Sequence, residues 1–110
     1  MNIFASRLNR AVVVAASALL IAAPAFADNG ASLFKARCAA CHGADGKGET
    51  AVGKSIHLRS LASPEVQKQS DEQLTDMIAG GKGAMPAYKD KLSAAQIKDL
   101  VAFIRELGKK

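Results

Sequence analysis

The sequence predicts an all-α fold of about four short helices wrapped around a bound group. Three observations carry this. Four segments place apolar residues at helical spacing behind recognisable caps. No alternating apolar–polar run is long enough for a paired strand. Two glycine-rich stretches are longer than so small a domain tolerates unless something binds within them.

The chain has 110 residues and opens on a different kind of segment. Arg7 and Arg10 are followed by a run from Ala11 to Ala23 that is apolar apart from Ser17, and then by Pro24-Ala25-Phe26-Ala27. A basic start, a short apolar middle and small residues flanking Phe26 match a secretory signal peptide cleaved after Ala27. The apolar run falls short of the roughly 20 residues a spanning helix needs. Residues 1–27 are therefore expected to be a signal peptide and residues 28–110 a single domain. A domain of about 80 residues buries a marginal core and usually needs a disulfide, metal or cofactor to hold it.

The helices follow in order. Asp28 or Asn29 can cap a first helix running to about Cys41, with Leu33, Phe34 and Arg37 at helical spacing. Gly43 to Ile56 holds four glycines and is expected to be irregular. Ser63-Pro64-Glu65 supplies a cap, a proline at the first helical position and an acid in the first turn. Ser70 and Gln73 form a capping box that opens a third helix, which Gly80-Gly81 can end. A second irregular stretch, Gly80 to Asp90, contains Gly83 and Pro86. Ser93 and Gln96 form another capping box, behind which Ile97, Leu100, Val101, Ile104 and Leu107 make one apolar stripe ending at Gly108.

The chemistry is concentrated in Cys38-Ala39-Ala40-Cys41-His42, which contains every cysteine of the chain. The spacing C-x-x-C-H is a c-type haem attachment signal. Each thiol adds across one haem vinyl group, and the adjacent histidine reaches the iron from below. Thioredoxin-like chemistry would need a βαβ scaffold that this sequence lacks. A zinc site would have to take both Cys41 and His42, which are neighbours poorly placed to share one ion. A disulfide across so short a loop would remove little chain entropy. One covalent haem c is the expected cofactor, with Cys38 and Cys41 as its thioether residues and His42 as its proximal iron ligand.

Met77, Met85 and His57 are the candidates for the opposite side of the iron. Met77 shares a helical face with Leu74 and Ile78 and reads as core. A lone histidine beside a glycine-rich loop reads as a surface or carboxylate-contacting residue. Met85 lies in Gly83-Ala84-Met85-Pro86, where Pro86 excludes helix and the glycines free the backbone. Met85 is the expected distal ligand, thioether ligation being common in c-type cytochromes.

Cys38-Ala39-Ala40-Cys41-His42-Gly43 near the start, Met85-Pro86-Ala87-Tyr88 late, and a last helix with Leu100-Val101-Ala102-Phe103 together resemble the small bacterial class I cytochromes c. The resemblance spans nearly all of residues 28–110. It implies that the first and last helices cross near the haem edge, with Gly30 and Phe34 facing Leu100 and Phe103. Gly43, Gly46 and Gly48 match the family's first loop. One departure stands out. Many relatives carry a proline after this loop whose carbonyl accepts a hydrogen bond from the proximal histidine, and no proline lies between His42 and Ser63 here.

With both axial positions filled by protein, Fe(III)/Fe(II) exchange is the chemistry left to the iron. The expectation is a soluble, periplasmic, monomeric carrier rather than an enzyme, meeting redox protein partners through a transient interface. Lys35, Lys47, Lys54, Lys82, Lys89 and Lys91 are candidates for its docking face. The rival is a haem with a labile sixth position, acting as a peroxidase or gas sensor, for which His57 is the one polar helper in sight. The formal charge of +5 carries no implication of nucleic acid, because no basic run is interleaved with aromatics. No stable membrane insertion is expected once the leader is removed. Intact-mass measurement of exported protein is expected to give residues 28–110 plus one haem; a retained leader or a missing haem overturns the corresponding reading.

Overall fold

The structure, a computed structural model, describes residues 25–110. The basic and apolar parts of the expected leader lie outside the described residues. Six helical segments follow in order: α1 (Ala25–Arg37), α2 (Ala39–His42), α3 (Ala51–Ser55), α4 (Pro64–Gln67), α5 (Asp71–Gly80) and α6 (Ala94–Leu107). Among the described residues the one β interaction is an isolated antiparallel bridge between Lys82 and Met85.

Both capping boxes form as the sequence predicts. Ser70 Oγ accepts from Gln73 N at 3.0 Å while Ser70 N donates to Gln73 Oε1 at 2.8 Å. Ser93 and Gln96 repeat the arrangement at the start of α6, at 3.1 and 2.9 Å. Each box satisfies backbone N–H groups that a helix start leaves without partners. Pro64 opens α4 behind Ser63, although the Ser63 hydroxyl makes no cap bond.

Two boundaries differ from expectation. The first helix begins before Asp28 and breaks at Cys38, so that α2 is a separate turn. Ala25–Ala27, at the expected cleavage point, form the opening turn of α1; Ala27 is buried, and Lys98 Nζ lies 5.5 Å from the Phe26 ring centroid. The stretch from Gly43 to Ile56, expected to be irregular, contains α3. Thr50 explains it: its hydroxyl accepts from Gly53 N at 2.8 Å and donates to the Cys41 carbonyl at 2.6 Å. Gly53, which by propensity opposes a helix, is required by packing, because a Cβ there would strike the backbone carbonyls of Gly48 and Cys41.

The core sits between α1, α5 and α6. Leu100 (1 % exposed) and Phe34 (2 %) are its centre, joined by Leu74, Ile78, Ile97, Val101 and Ile104. The α6 stripe read from the sequence is buried throughout. Where α1 crosses α6, a Cβ on Gly30 would collide with the Asp99 carbonyl and lie 2.9 Å from Phe103 Cβ. The crossing is as close as two helix backbones allow, and the Phe34 and Phe103 rings fill it with centroids 4.9 Å apart at 46°.

A polar clamp holds α4 and its flanks onto α6. Gln67 Nε2 donates to the carbonyls of Leu61 (2.7 Å) and Ile104 (2.9 Å). Arg105 donates to the carbonyls of Gln67 and Gln69 and to Asp71 Oδ1. The clamp satisfies carbonyls that the end of a one-turn helix leaves open.

Gly30→Ala is expected to destabilise the protein by about 1–3 kcal/mol, because neither backbone can withdraw without separating the aromatic pair. Thermal unfolding monitored by circular dichroism measures it, and an unchanged midpoint refutes the tight crossing.

Candidate functional site: a haem cleft

α1 delivers the attachment motif to the end of the core. Cys38 N donates to the Phe34 carbonyl at 2.8 Å, and the chain restarts as α2, with His42 N donating to the Cys38 carbonyl at 3.0 Å. One helical turn therefore carries Cys38 and Cys41, which at i,i+3 share a face. His42 follows within the same turn, its ring centroid 6.2 Å from that of Phe34. The loop after α2 is tied back by Gly48 N donating to the His42 carbonyl at 2.8 Å.

The second loop is closed by separate fastenings. Lys82 and Met85 exchange two backbone hydrogen bonds, both at 3.0 Å. Tyr88 N and Lys89 N donate to the carbonyls of Ile78 and Ala79, each at 3.1 Å, which folds the loop onto α5. The Tyr88 hydroxyl reaches across to donate to the Arg37 carbonyl at 3.0 Å, one residue before Cys38. Burial pushes the Tyr88 phenol up, aided by the neighbouring cysteines, so it remains a protonated donor.

These loops and the open side of the core enclose a cleft in two connected parts. The outer part, about 310 Å³, is lined by Cys38, Cys41, His42, Met85 and Tyr88 among others. The deeper part, about 440 Å³, shares Cys38, His42 and Met85 and runs along Phe34, Leu74, Ile78 and Leu100. Volumes of this order suit a cofactor rather than water. The structure thus brings Cys38, Cys41, His42 and Met85 to one cavity.

Met77 departs from its expected place. It is half-buried, lies outside the buried core and lines the deeper part of the cleft. Leu74 and Ile78 take the core-facing positions of α5, and Met77 sits on the border where that core opens into the cleft. His57 lines the cleft as well and is exposed, with φ 57°, the left-handed region that non-glycine residues rarely adopt. Of the six lysines singled out for docking, Lys82 lines the cleft; Arg37 and Arg59, which sequence reasoning passed over, line it too. Their contribution arises from loop geometry, for which a single sequence holds no spacing signal.

The cleft chemistry fits a covalent haem. Cys38 and Cys41 form no disulfide. Burial, with Cys41 beside it, pushes the Cys38 thiol up to about 11, the opposite of what a thiol–disulfide exchange site requires. Burial also lowers the pKa of His42 and so favours neutral imidazole, the form that binds iron. Its Nδ1 is buried without a hydrogen-bond partner, the structural counterpart of the missing proline. The walls are apolar, as a porphyrin face demands.

Comparison with known proteins agrees with this chemistry. Residues 25–104 match the family described as cytochrome c oxidase, cbb3-type, subunit III. Cytochrome c6 of Nostoc sp. is 38 % identical over 81 residues, covering 74 % of this chain and 68 % of that protein. Cytochrome c6 of Leptolyngbya boryana is 35 % identical, covering 74 % of this chain and 92 % of that one. Among solved structures, the KustC0563 c-type cytochrome superposes with a TM-score of 0.66 at 35 % identity, over 71 % of this chain and 95 % of the other. With the matched family, the helical fold and the CxxCH cleft in agreement, the chain belongs to the small class I cytochromes c.

Proposed function

We propose that Cys38 and Cys41 carry the haem thioethers, that His42 and Met85 are the axial iron ligands, and that the protein works in the periplasm after removal of residues 1–27. As a class I cytochrome c the chain is a one-electron carrier with one covalent haem c, and not an enzyme. The observation that carries the ligand assignment is that Cys38, His42 and Met85 line both parts of one cleft, with Cys41 at its outer part.

Bound there, haem c supplies Fe(III)/Fe(II) exchange. The residues around it exclude water and hold geometry. Phe34, Leu74, Ile78 and Leu100 wall the cleft with apolar surface, a low-dielectric setting that favours the less charged Fe(II) state. The Tyr88–Arg37 hydrogen bond ties the Met85 loop to the end of the helix that precedes the attachment turn, which would limit reorganisation around the bound group.

The leader composition supports export, and no helix among the described residues is long and apolar enough to cross a membrane. Redox partners would meet the cleft mouth, where Lys82 and Arg37 lie beside the exposed Ile56. A small basic and apolar rim suits brief docking to a partner of opposite charge.

Met85→His in the holoprotein is expected to abolish the red band of methionine-ligated Fe(III) and to lower the reduction potential. Met77→Leu is expected to keep the band, at a stability change under about 1.5 kcal/mol, since the swap conserves volume at a half-buried site. Visible spectroscopy with redox titration distinguishes them. Loss of the band in Met77→Leu and its survival in Met85→His would reverse the ligand assignment.

A further inference from the structure

The backbone on both sides of His42 is held from the first loop. Before it, the Cys41 carbonyl accepts a hydrogen bond from Thr50 Oγ1 at 2.6 Å. After it, the His42 carbonyl accepts from Gly48 N at 2.8 Å. Because α2 is a single turn ending at His42, these carbonyls have no donor within their own helix. The loop supplies one to each, and so fixes the peptide units that precede and follow the imidazole.

Thr50 does this with a hydroxyl that makes two bonds. Its oxygen accepts from Gly53 N at 2.8 Å, as the N-cap of α3, while its proton goes to Cys41. Several side chains cap a helix equally well, but an ionised carboxylate in that place has no proton to donate. The fit around the bond is close, since a Cβ on Gly53 would strike the Cys41 carbonyl. The imidazole itself has no partner at its buried Nδ1. A ligating histidine is ordinarily oriented by a hydrogen bond from that second nitrogen. Here the hold on the ring comes from its pinned backbone and from Phe34, 6.2 Å away between ring centroids.

We propose that Thr50 is a positioning residue for the iron: by donating to the Cys41 carbonyl it sets the direction of the His42 imidazole. The assignment rests on His42 as the proximal ligand. Thr50 is half-buried and lies outside the lining of the haem cleft, so it acts through the Cys41–His42 peptide. A tilt of that peptide turns the Cα–Cβ bond of His42, and the ring at its far end moves further than the backbone does. Cys41 is also a thioether residue, so the same bond steadies one attachment point.

The test uses holoprotein carrying Thr50→Ser, Thr50→Val or Thr50→Asp. Serine keeps the hydroxyl, valine keeps the shape without it, and aspartate keeps only the acceptor that caps α3. In the Fe(III) state, the spread of the haem methyl proton NMR shifts follows the orientation of the axial ligands. Thr50→Ser is expected to retain the wild-type order and spread. Thr50→Val and Thr50→Asp are expected to change both, with Thr50→Asp keeping wild-type helical circular dichroism. The reduction potential, compared between the two uncharged variants, is expected to shift in Thr50→Val and to stay in Thr50→Ser. If Thr50→Val fails to fold, Thr50→Asp against Thr50→Ser decides. Wild-type methyl shifts in Thr50→Asp would overturn the positioning role and leave Thr50 a helix cap. An equal change in Thr50→Ser and Thr50→Val would overturn it too, by assigning the effect to the lost methyl packing. Wild-type protein without covalent haem, or with a high-spin Fe(III) spectrum, would refute the ligand reading itself, so the two failures are distinguishable.

Discussion

Where α1 crosses α6, the Gly30 backbone lies against the Asp99 carbonyl with no room for a side chain, and the rest of the molecule is arranged from that contact. It fixes the separation of the two longest helices. That separation brings Phe34 against Phe103, and Phe34 stands one turn before Cys38. The attachment turn is therefore held at a set height above the core by a backbone contact, which bends less readily than a contact between flexible side chains.

The core built on this crossing is one-sided. Phe34, Leu74, Ile78, Leu100 and Ile104 are buried, yet all five also line the cleft. A flat apolar group seated in the cleft would pack directly against the core they form. Structure and function here share one requirement: the group that moves the electron is also a large part of the core of a domain too small to bury enough apolar surface alone.

Long loops flank such a cleft, and they are held by a few polar fastenings. Arg105 and Gln67 pin α4 and its flanks to α6, while Tyr88 pins the Met85 loop to the end of α1. Both use side-chain donors to reach backbone carbonyls far away in sequence. Such bonds fix loop positions without regular secondary structure, and they leave the cleft walls free to be apolar.

Much of this was legible in the sequence, because the signals are local. Capping boxes, an apolar stripe at helical spacing and CxxCH each act within a few residues, and the three later expected helices stand where these signals put them, while the first starts earlier and breaks at Cys38. Resemblance to a family added the Gly30 crossing. What tertiary structure alone decided involves residues whose partners lie far along the chain. α3 exists because Thr50 caps it and Gly53 must fit between Cys41 and Gly48, a packing demand that outweighs glycine's poor helix propensity. Met77 carries the same helical spacing as a core residue, and the direction in which the core opens put it on the cleft instead. Arg59 and His57 carry no motif; a loop closed by distant contacts brought them to the rim. Spacing specifies which residues share a face of an element, while the assembly of elements decides what that face meets.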